Sequence, residues 1–132
     1  MTNTFKTTIE IRRGDIVLVD FGDQIGSEQS GTRPAVVIQN NKGNEVSPTI
    51  IVCAITSQAK KKLPTHVEIY PNKTNGLEKN SIILAEQTRT VDKNRILKKC
   101  GFIDGNFLMD KINKALTISF GLLYNNVTKV NY

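Results

Sequence analysis

Three short apolar runs dominate the first half of the chain, namely Ile16–Phe21, Ala35–Ile38 and Ile50–Ile55. Each run is rich in Val and Ile and is bounded by Gly, Pro, Asn or Ser. Runs of this length and composition are typical of buried β-strands. The pattern therefore predicts three buried strands, with a long polar loop at residues 22–32 and a turn at Asn40–Asn44 between them.

The second half of the chain carries weaker strand signals. Residues Thr65–Tyr70 alternate, with Val67 and Ile69 on one face of a predicted strand and polar residues on the other. Further along, the pattern predicts two short extended segments at Ser81–Leu84 and Glu86–Val91, a turn at Asp92–Arg95, and either a last strand or an irregular crossing at Ile96–Phe102.

The C-terminal part of the chain has helical periodicity. Apolar residues recur three or four positions apart from Leu108 to Leu123, which predicts one amphipathic helix ending near Gly121. Asp104 is suited to cap this helix, because its carboxylate can accept hydrogen bonds from free backbone amides. Several short strands followed by one terminal helix predict an α+β domain with a small barrel-like sheet.

The length and charge of the chain bound its class. At 132 residues, it is long enough to bury one core of its own. We expect residues 1–10, which are polar and Thr-rich, to form a flexible N-terminal arm, and residues 11–132 to form a single domain. The net charge of +6 favours a polyanionic partner such as nucleic acid. It could equally serve only to keep the protein soluble, so composition leaves both interpretations open.

The two cysteines give no sign of a zinc site or a disulfide framework. Cys53 lies inside an apolar run, so we expect a buried and inert thiol. No cluster of carboxylates or of His and Cys ligands suggests a two-metal nuclease. The N-terminus lacks the apolar core of a signal peptide, and no segment approaches the length of a membrane span. These features predict a cytoplasmic protein without membrane contact, metal or cofactor.

The loop between the first two apolar runs has more hydrogen-bonding capacity than a hairpin needs. It carries Glu28 and Gln29 and leads into Arg33, which directly precedes Pro34. An arginine beside a proline at the start of a strand has a restricted backbone, so its guanidinium can be aimed. This arrangement is typical of an anion-binding site.

Short motifs also follow one another along the chain in a definite order. They are Arg13-Gly14-Asp15, Gly26-Ser27-Glu28-Gln29, Gly31-Thr32-Arg33-Pro34, Ser47-Pro48-Thr49 with Ala54-Ile55-Thr56, Pro64-Thr65-His66-Val67-Glu68 and Glu86-Gln87-Thr88-Arg89-Thr90-Val91-Asp92. Each is weak alone, but the ordered set is specific. From Ile11 to about Tyr124 the chain resembles the MazF/PemK family, the ribonuclease toxins of type II toxin–antitoxin systems.

The resemblance implies a small SH3-like antiparallel β-barrel of the MazF/CcdB type with a C-terminal α-helix, assembled as a two-fold homodimer. It implies sequence-specific cleavage of single-stranded RNA without a metal, and a cognate antitoxin whose acidic, flexible tail occupies the RNA groove. The family's catalytic arginine and threonine correspond to Arg33 and Thr56. Residues Phe21–Ile25 lack a proline that many relatives have, and this loop helps to choose the bases, so the target sequence stays open.

The chemistry of these two residues suits such a reaction. Attack by the 2′-hydroxyl of RNA on the adjacent phosphate requires positioning, charge stabilisation and proton transfer, but no metal. Arg33 offers a fork of donors that matches phosphate oxygens, and Thr56 offers a hydroxyl at the end of the third strand. Without the family, the alternative is that Arg33 makes a surface ion pair and Thr56 caps a strand end.

Seven further residues are candidates for RNA binding. Glu28 and Gln29 could read base edges or orient Arg33, and Glu28 could instead form an ordinary ion pair. Lys60 belongs to a run of three lysines that is either a solvated loop or a contact to the RNA backbone without sequence specificity. His66, the only histidine, is expected to be structural. The complete set is Glu28, Gln29, Ser57, Lys60, Glu86, Gln87 and Arg89.

Two other functions are compatible with the sequence. One is a non-enzymatic toxin of the same fold that binds DNA gyrase, which has no need for an Arg33–Thr56 pair. The other is a plain nucleic-acid-binding barrel, which should carry exposed aromatic platforms for base stacking. The chain has no Trp and only 6% aromatic residues, which disfavours the plain binding module.

Overall fold

The structure is a computed structural model that describes residues 9–58 and 62–122. Most of the predicted N-terminal arm and Lys60 therefore lie outside the described residues. The elements are β1 (Asp15–Asp20), β2 (Thr32–Val37), α1 (Asn41–Val46), β3 (Thr49–Thr56), β4 (His66–Ile69), β5 (Ser81–Asp92), a 3-10 helix (Lys93–Arg95), β6 (Ile96–Phe102) and α2 (Phe107–Ser119).

All six strands form one antiparallel sheet in the order β4-β5-β3-β2-β1-β6. The outer strands β4 and β6 are not paired with each other, so the sheet is open rather than a barrel closed by hydrogen bonds. The loop after β4 reaches β6 instead, where the Phe102 amide donates to the Thr74 carbonyl at 2.9 Å. A Cβ atom on Gly101 would lie 2.1 Å from that same oxygen, so only glycine permits this approach. The predicted α+β class with a C-terminal helix is confirmed.

Apolar side chains are buried on both faces of the sheet. One face holds a cluster around Val19 and Val52, and the other a cluster around Cys53 and Ile55. The helix α2 covers the second face, where Ile112 is fully buried. Burying one such side chain contributes roughly 1.5–3 kcal/mol. The three apolar runs are therefore the central strands β1, β2 and β3, because only a strand covered on both faces is apolar at nearly every position.

The strand β5 departs most from the predicted pattern. It is one strand of 12 residues rather than two short segments. Its register with β3 shifts, since Cys53 lies opposite Thr88 whereas Ile55 lies opposite Ile83. Four β5 residues therefore lie opposite the single β3 residue Ala54, and the β3–β5 ladder is interrupted there. Both Glu86 and Gln87 belong to this interruption.

Two helix starts also differ from the predictions. The predicted turn at Asn40–Asn44 is instead the start of α1, because Asn40 Oδ1 accepts a hydrogen bond from the Gly43 amide at 2.8 Å and so caps a helix. The prediction that Asp104 caps the last helix is wrong. Asn106 occupies the cap position of α2 and makes no side-chain capping bond.

Candidate active site

Neighbouring strands bring Arg33 and Thr56 to the same end of the sheet. In the antiparallel pair β2–β3, the last paired residues are Ala35 and Ala54, and Arg33 and Thr56 each lie two residues beyond that pair. Ala35 and Ala54 both belong to the first core cluster. Because side chains alternate along a strand, Arg33 and Thr56 project from that same face of the sheet. Two residues that are 23 positions apart in sequence thus meet at one end of the sheet.

Within the described part of the chain, the half-buried Arg33 side chain is held through a single donor. Its Nε donates to the Ser30 carbonyl at 2.6 Å, which fixes the plane of the guanidinium. Among the described residues, no carboxylate lies within ion-pair distance of Arg33. The surface ion pair that the sequence left as an alternative is therefore not seen in this part of the chain, and the terminal guanidinium nitrogens can donate to an anion.

Thr56 is buried, with 6% of its surface exposed. Its Oγ1 accepts a hydrogen bond from the Gln58 amide at 3.1 Å. Thr56 therefore caps the strand end, as the structural alternative predicted. A hydroxyl that accepts one bond can still donate its proton, so capping and donation to a phosphate oxygen are compatible.

A cleft of about 350 Å³ opens at this end of the sheet, and both Arg33 and Thr56 line it. Ser57, the exposed residue after β3, also lines this cleft, and its role in RNA binding stays a prediction. Two other cavities, of about 540 and 520 Å³, lie beside α1 and between β4 and α2, and neither is lined by the pair.

Gln87 and Arg89 reach from β5 to the loop between β1 and β2. Gln87 Nε2 donates to the Ser27 carbonyl at 3.3 Å. Arg89 Nη1 lies 3.4 Å from the Phe21 carbonyl oxygen, and its guanidinium carbon lies 5.2 Å from the centre of the Phe21 ring. The structure thus brings these two predicted RNA-binding residues to the same loop whose Ser30 carbonyl holds Arg33.

Glu28 and Gln29 occupy that loop in different ways. Glu28 Oε1 accepts a hydrogen bond from the Ile25 amide at 2.8 Å, so its carboxylate stabilises the loop's own turn. Gln29 Oε1 is buried and has no hydrogen-bond partner in the part of the chain that the structure describes.

Glu86 lies in a hydrogen-bond network with His66, the first residue of β4, and with Thr65, which precedes β4. Its Oε1 accepts from the Thr65 hydroxyl at 2.8 Å, and its Oε2 lies 3.0 Å from His66 Nε2. The Leu63 amide lies 3.4 Å from His66 Nδ1, which assigns Nδ1 as acceptor and Nε2 as donor. The His66 side chain is only 8% exposed. Three polar groups therefore satisfy one another, and the structural placement expected for His66 is what the structure shows.

The cleft also contains residues that sequence reasoning did not single out. Leu77, Lys79, Lys98 and Cys100 line it together with the pair. They come from the loop before β5 and from β6, far along the chain, and no motif marks them. Burial raises the pKa of the Cys100 thiol.

Cys53 belongs instead to the second core cluster, as predicted. Burial first, and the Glu86 carboxylate second, raise its thiol pKa to about 12.

No three His, Cys, Asp or Glu side chains within residues 9–58 and 62–122 are grouped so that they could hold a metal ion. Over the same residues, no helix has the length and apolar character needed to cross a membrane.

Comparison with known proteins adds family information to this geometry. Residues 12–120 match the family described as PemK-like, MazF-like toxin of type II toxin–antitoxin system. The chain is 51% identical over 114 residues to endoribonuclease EndoA of Bacillus subtilis, which covers 86% of this chain and 97% of that protein. The fold is similar to MazF of Deinococcus radiodurans, with a TM-score of 0.73, 26% identity, and coverage of 86% of this chain and 99% of that chain. A MazE–MazF structure from the same organism also matches, with a TM-score of 0.65, 25% identity, and coverage of 88% and 100%.

The fold and these similarities define the class as endoribonucleases built on one antiparallel sheet with a C-terminal helix. The chain belongs to the PemK-like, MazF-like family of toxins of type II toxin–antitoxin systems. The resemblance carried by the sequence motifs and the predicted enzyme class are both confirmed.

Proposed function

We propose that the protein is a metal-independent endoribonuclease that cleaves single-stranded RNA, such as mRNA, at specific sequences. The observation that carries this proposal is the position of Arg33 beside Thr56 at the cleft. Among the described residues, Arg33 is held by its Nε alone, and the Thr56 hydroxyl accepts a bond and has a proton to donate. Both side chains can therefore donate hydrogen bonds to one anionic group placed between them.

The reaction uses the nucleophile that RNA already carries. The 2′-oxygen attacks the adjacent phosphorus and loses its proton, and the bond from phosphorus to the 5′-oxygen breaks as that oxygen gains a proton. Negative charge accumulates on the nonbridging oxygens in the transition state. The Arg33 terminal nitrogens donate to these oxygens, and Thr56 donates to a nonbridging or leaving oxygen. Because these donors are fixed before the substrate arrives, little reorganisation opposes the reaction.

The proposed partners follow from charge and from the relatives. The matched MazE–MazF structure shows a related toxin together with its antitoxin. The net charge of +6 suits both an RNA substrate and an acidic, flexible antitoxin tail that competes with RNA for the same groove. We propose that the protein acts as a homodimer in the cytoplasm, with such an antitoxin as its inhibitor.

The decisive experiment removes Arg33 and all free divalent metal together. A long single-stranded RNA is incubated in EDTA with the wild type, with Arg33→Ala and with Arg33→Lys, and the cut ends are mapped. Arg12→Ala is the matched control, because Arg12 is exposed and pairs only with Glu10 among the described residues.

We expect cuts at a limited set of sequences with the wild type and the control. Loss of a preorganised donor to a developing oxyanion lowers the rate roughly 10²- to 10³-fold, so Arg33→Ala should be nearly inactive. Arg33→Lys should recover only part of the rate, because an ammonium lacks the planar fork. Intact RNA after incubation with folded wild type would overturn the proposal, and binding to DNA gyrase would then be measured.

A further inference from the structure

We propose that the cleft beside Arg33 and Thr56 holds one unstacked nucleobase of the RNA, directly next to the scissile phosphate. This inference rests on the proposed function and deepens it, since it assigns an occupant to a cavity rather than a role to the catalytic pair. Three features of the cleft support it: its walls, its position around the end of the sheet, and its charge.

The walls of the cleft suit a flat apolar object. Leu18, Pro34 and Leu77 line it and are half-buried, and Ile55 closes it toward the second core cluster. Its volume of about 350 Å³ lies at the lower end of the range for small-molecule sites, which is roughly 300–1,000 Å³. A nucleobase has two apolar faces and a polar edge, and an extruded base is commonly bound by apolar or aromatic walls.

The position of the cleft places its proposed occupant next to the scissile phosphate. Alternation along β2 and β3 places Pro34 and Ile55 on the face of the sheet opposite Arg33 and Thr56. The cleft nevertheless includes Arg33 and Thr56 in its lining, so it wraps around the end of the sheet. A phosphate held on one face thus leaves its neighbouring base able to turn into the cleft on the other.

The charge of the rim favours nucleic acid. The exposed Lys79 and Lys98 stand at the rim with one carboxylate, Glu78, and with the Ser57 hydroxyl. The ammonium groups can contact the flanking phosphates, while the hydroxyl can bond to the polar edge of a base. An acidic peptide would meet the same lysines, so the test uses nucleic acid alone.

The first arm of the test combines base removal with filling of the cleft. Oligonucleotides that contain the mapped cleavage site receive a single abasic position, one position at a time. Each is cleaved by the wild type, by Leu77→Trp, and by Leu97→Trp as control, because Leu97 is exposed on β6 and does not line the cleft. Circular dichroism and thermal unfolding establish that each variant is folded.

We expect removal of one base beside the cut to slow the wild type and the control at least tenfold. The same removal should slow Leu77→Trp less than twofold, because the tryptophan side chain already excludes that base from the cleft. The filled variant should also be slower than wild type on the intact oligonucleotide. If each abasic position slowed Leu77→Trp by the same factor as wild type, base removal and cleft filling would act independently. That result would overturn the proposal.

The second arm needs no cleavage. Cys100 lines the cleft, whereas Cys53 is fully buried in the core and serves as an internal control. Alkylation of both thiols by iodoacetamide is followed by mass spectrometry, with and without an oligonucleotide that carries 2′-deoxyribose throughout and so has no nucleophile. Its sequence is that of the mapped cleavage site or, where no cut is found, that of the long single-stranded RNA in overlapping segments. We expect the nucleic acid to slow Cys100 alkylation at least fivefold and to leave Cys53 unchanged.

The two arms separate the two hypotheses. RNA cleavage without protection of Cys100 would overturn the base site and leave the proposed function standing. Protection of Cys100 without RNA cleavage would support the base site while the proposed function fails. Alkylation of Cys100 before RNA is added should fill the cleft without any substitution and slow cleavage, and unchanged cleavage by fully alkylated protein would overturn the base site.

Discussion

The opposite ends of strands β2 and β3 carry polar side chains that are bonded in opposite ways. At the far end, Gln39 and Asn44 are buried and satisfy each other. Gln39 Nε2 donates to Asn44 Oδ1 at 3.1 Å and to the Thr49 carbonyl at 3.0 Å. Asn44 Nδ2 donates back to the Gln39 carbonyl at 2.9 Å. This network closes on itself, since both side-chain amide nitrogens and Asn44 Oδ1 are bonded within the protein.

At the near end, the same two strands carry Arg33 and Thr56, and their bonding is incomplete. Arg33 commits Nε to the Ser30 carbonyl, and Thr56 accepts one bond from the Gln58 amide. The remaining donors of both side chains can serve a ligand. A fully satisfied buried network stabilises and specifies a fold, whereas polar groups with spare donors at a cleft are available for chemistry. The two ends should therefore respond to mutation in opposite ways.

After the loss expected for Arg33→Ala, the largest expected effect is that of Thr56→Val, which keeps the shape of the side chain and removes its hydroxyl. A hydrogen bond to a charged group contributes about 1.5–3 kcal/mol, so kcat/KM for RNA cleavage should fall roughly 10- to 150-fold. Thr56→Ser, which keeps the hydroxyl, should stay within a few-fold of wild type. Single-turnover cleavage in EDTA measures both, and full activity of Thr56→Val would remove Thr56 from the catalytic machinery.

At the closed end, Asn44→Ala should affect stability instead of rate. The substitution leaves the buried Gln39 carbonyl without its Asn44 partner and the Gln39 side-chain amide with the Thr49 carbonyl alone, which should lower the free energy of unfolding by about 2 kcal/mol. Urea unfolding measures this difference, with the exposed Asn80→Ala as control. The folded fraction should cleave RNA at the wild-type rate. A loss of cleavage in folded Asn44→Ala would contradict the division between the two ends.

The hydrogen-bonded cluster around Glu86 is a third polar group. The substitution Glu86→Gln tests whether this cluster supports the fold or takes part in RNA binding. Its partners Thr65 and His66 satisfy both carboxylate oxygens, so we expect a structural role and a loss of about 1 kcal/mol of stability, reduced by partial solvent exposure. Glu68→Gln on β4 is the matched control, because its ion pair with Lys62 is exposed and contributes little. A tenfold loss of cleavage with unchanged stability would instead assign Glu86 to RNA binding.

Much of this fold could be predicted from local patterns. The runs of Val and Ile in β1, β2 and β3 are long. Because these strands are buried on both faces, few polar residues interrupt their apolar pattern. The sequence motifs also indicated Arg33 and Thr56, and the register of β2 against β3 brings them together. Pairing between distant strands is not visible in either residue alone, so only the family resemblance connected them beforehand.

The errors share one physical origin, since each depends on contacts that a sequence window does not contain. Asn40 has the composition of a turn residue, but its side chain caps α1 through Gly43. The β5 pattern breaks at Glu86 because the pairing with β3 shifts its register there. The walls of the cleft come from Leu77 and Cys100, which only the loop crossing to β6 brings beside Pro34. Such tertiary arrangements leave no periodic signal.

The smallest expected effect belongs to Gln87→Ala. Gln87 ties β5 to the loop that holds Arg33, but its bond to the Ser27 carbonyl is 3.3 Å long and exposed, which gives it a contribution of about 0.5 kcal/mol. We expect kcat/KM to fall about two- to threefold through KM, because the looser loop must be ordered when RNA binds, while the thermal midpoint stays unchanged. Steady-state kinetics on one cleaved oligonucleotide separates the two constants. A fall of a hundredfold, or a change in the mapped cleavage sequence, would show that Gln87 contacts the RNA itself and belongs with Arg33 and Thr56.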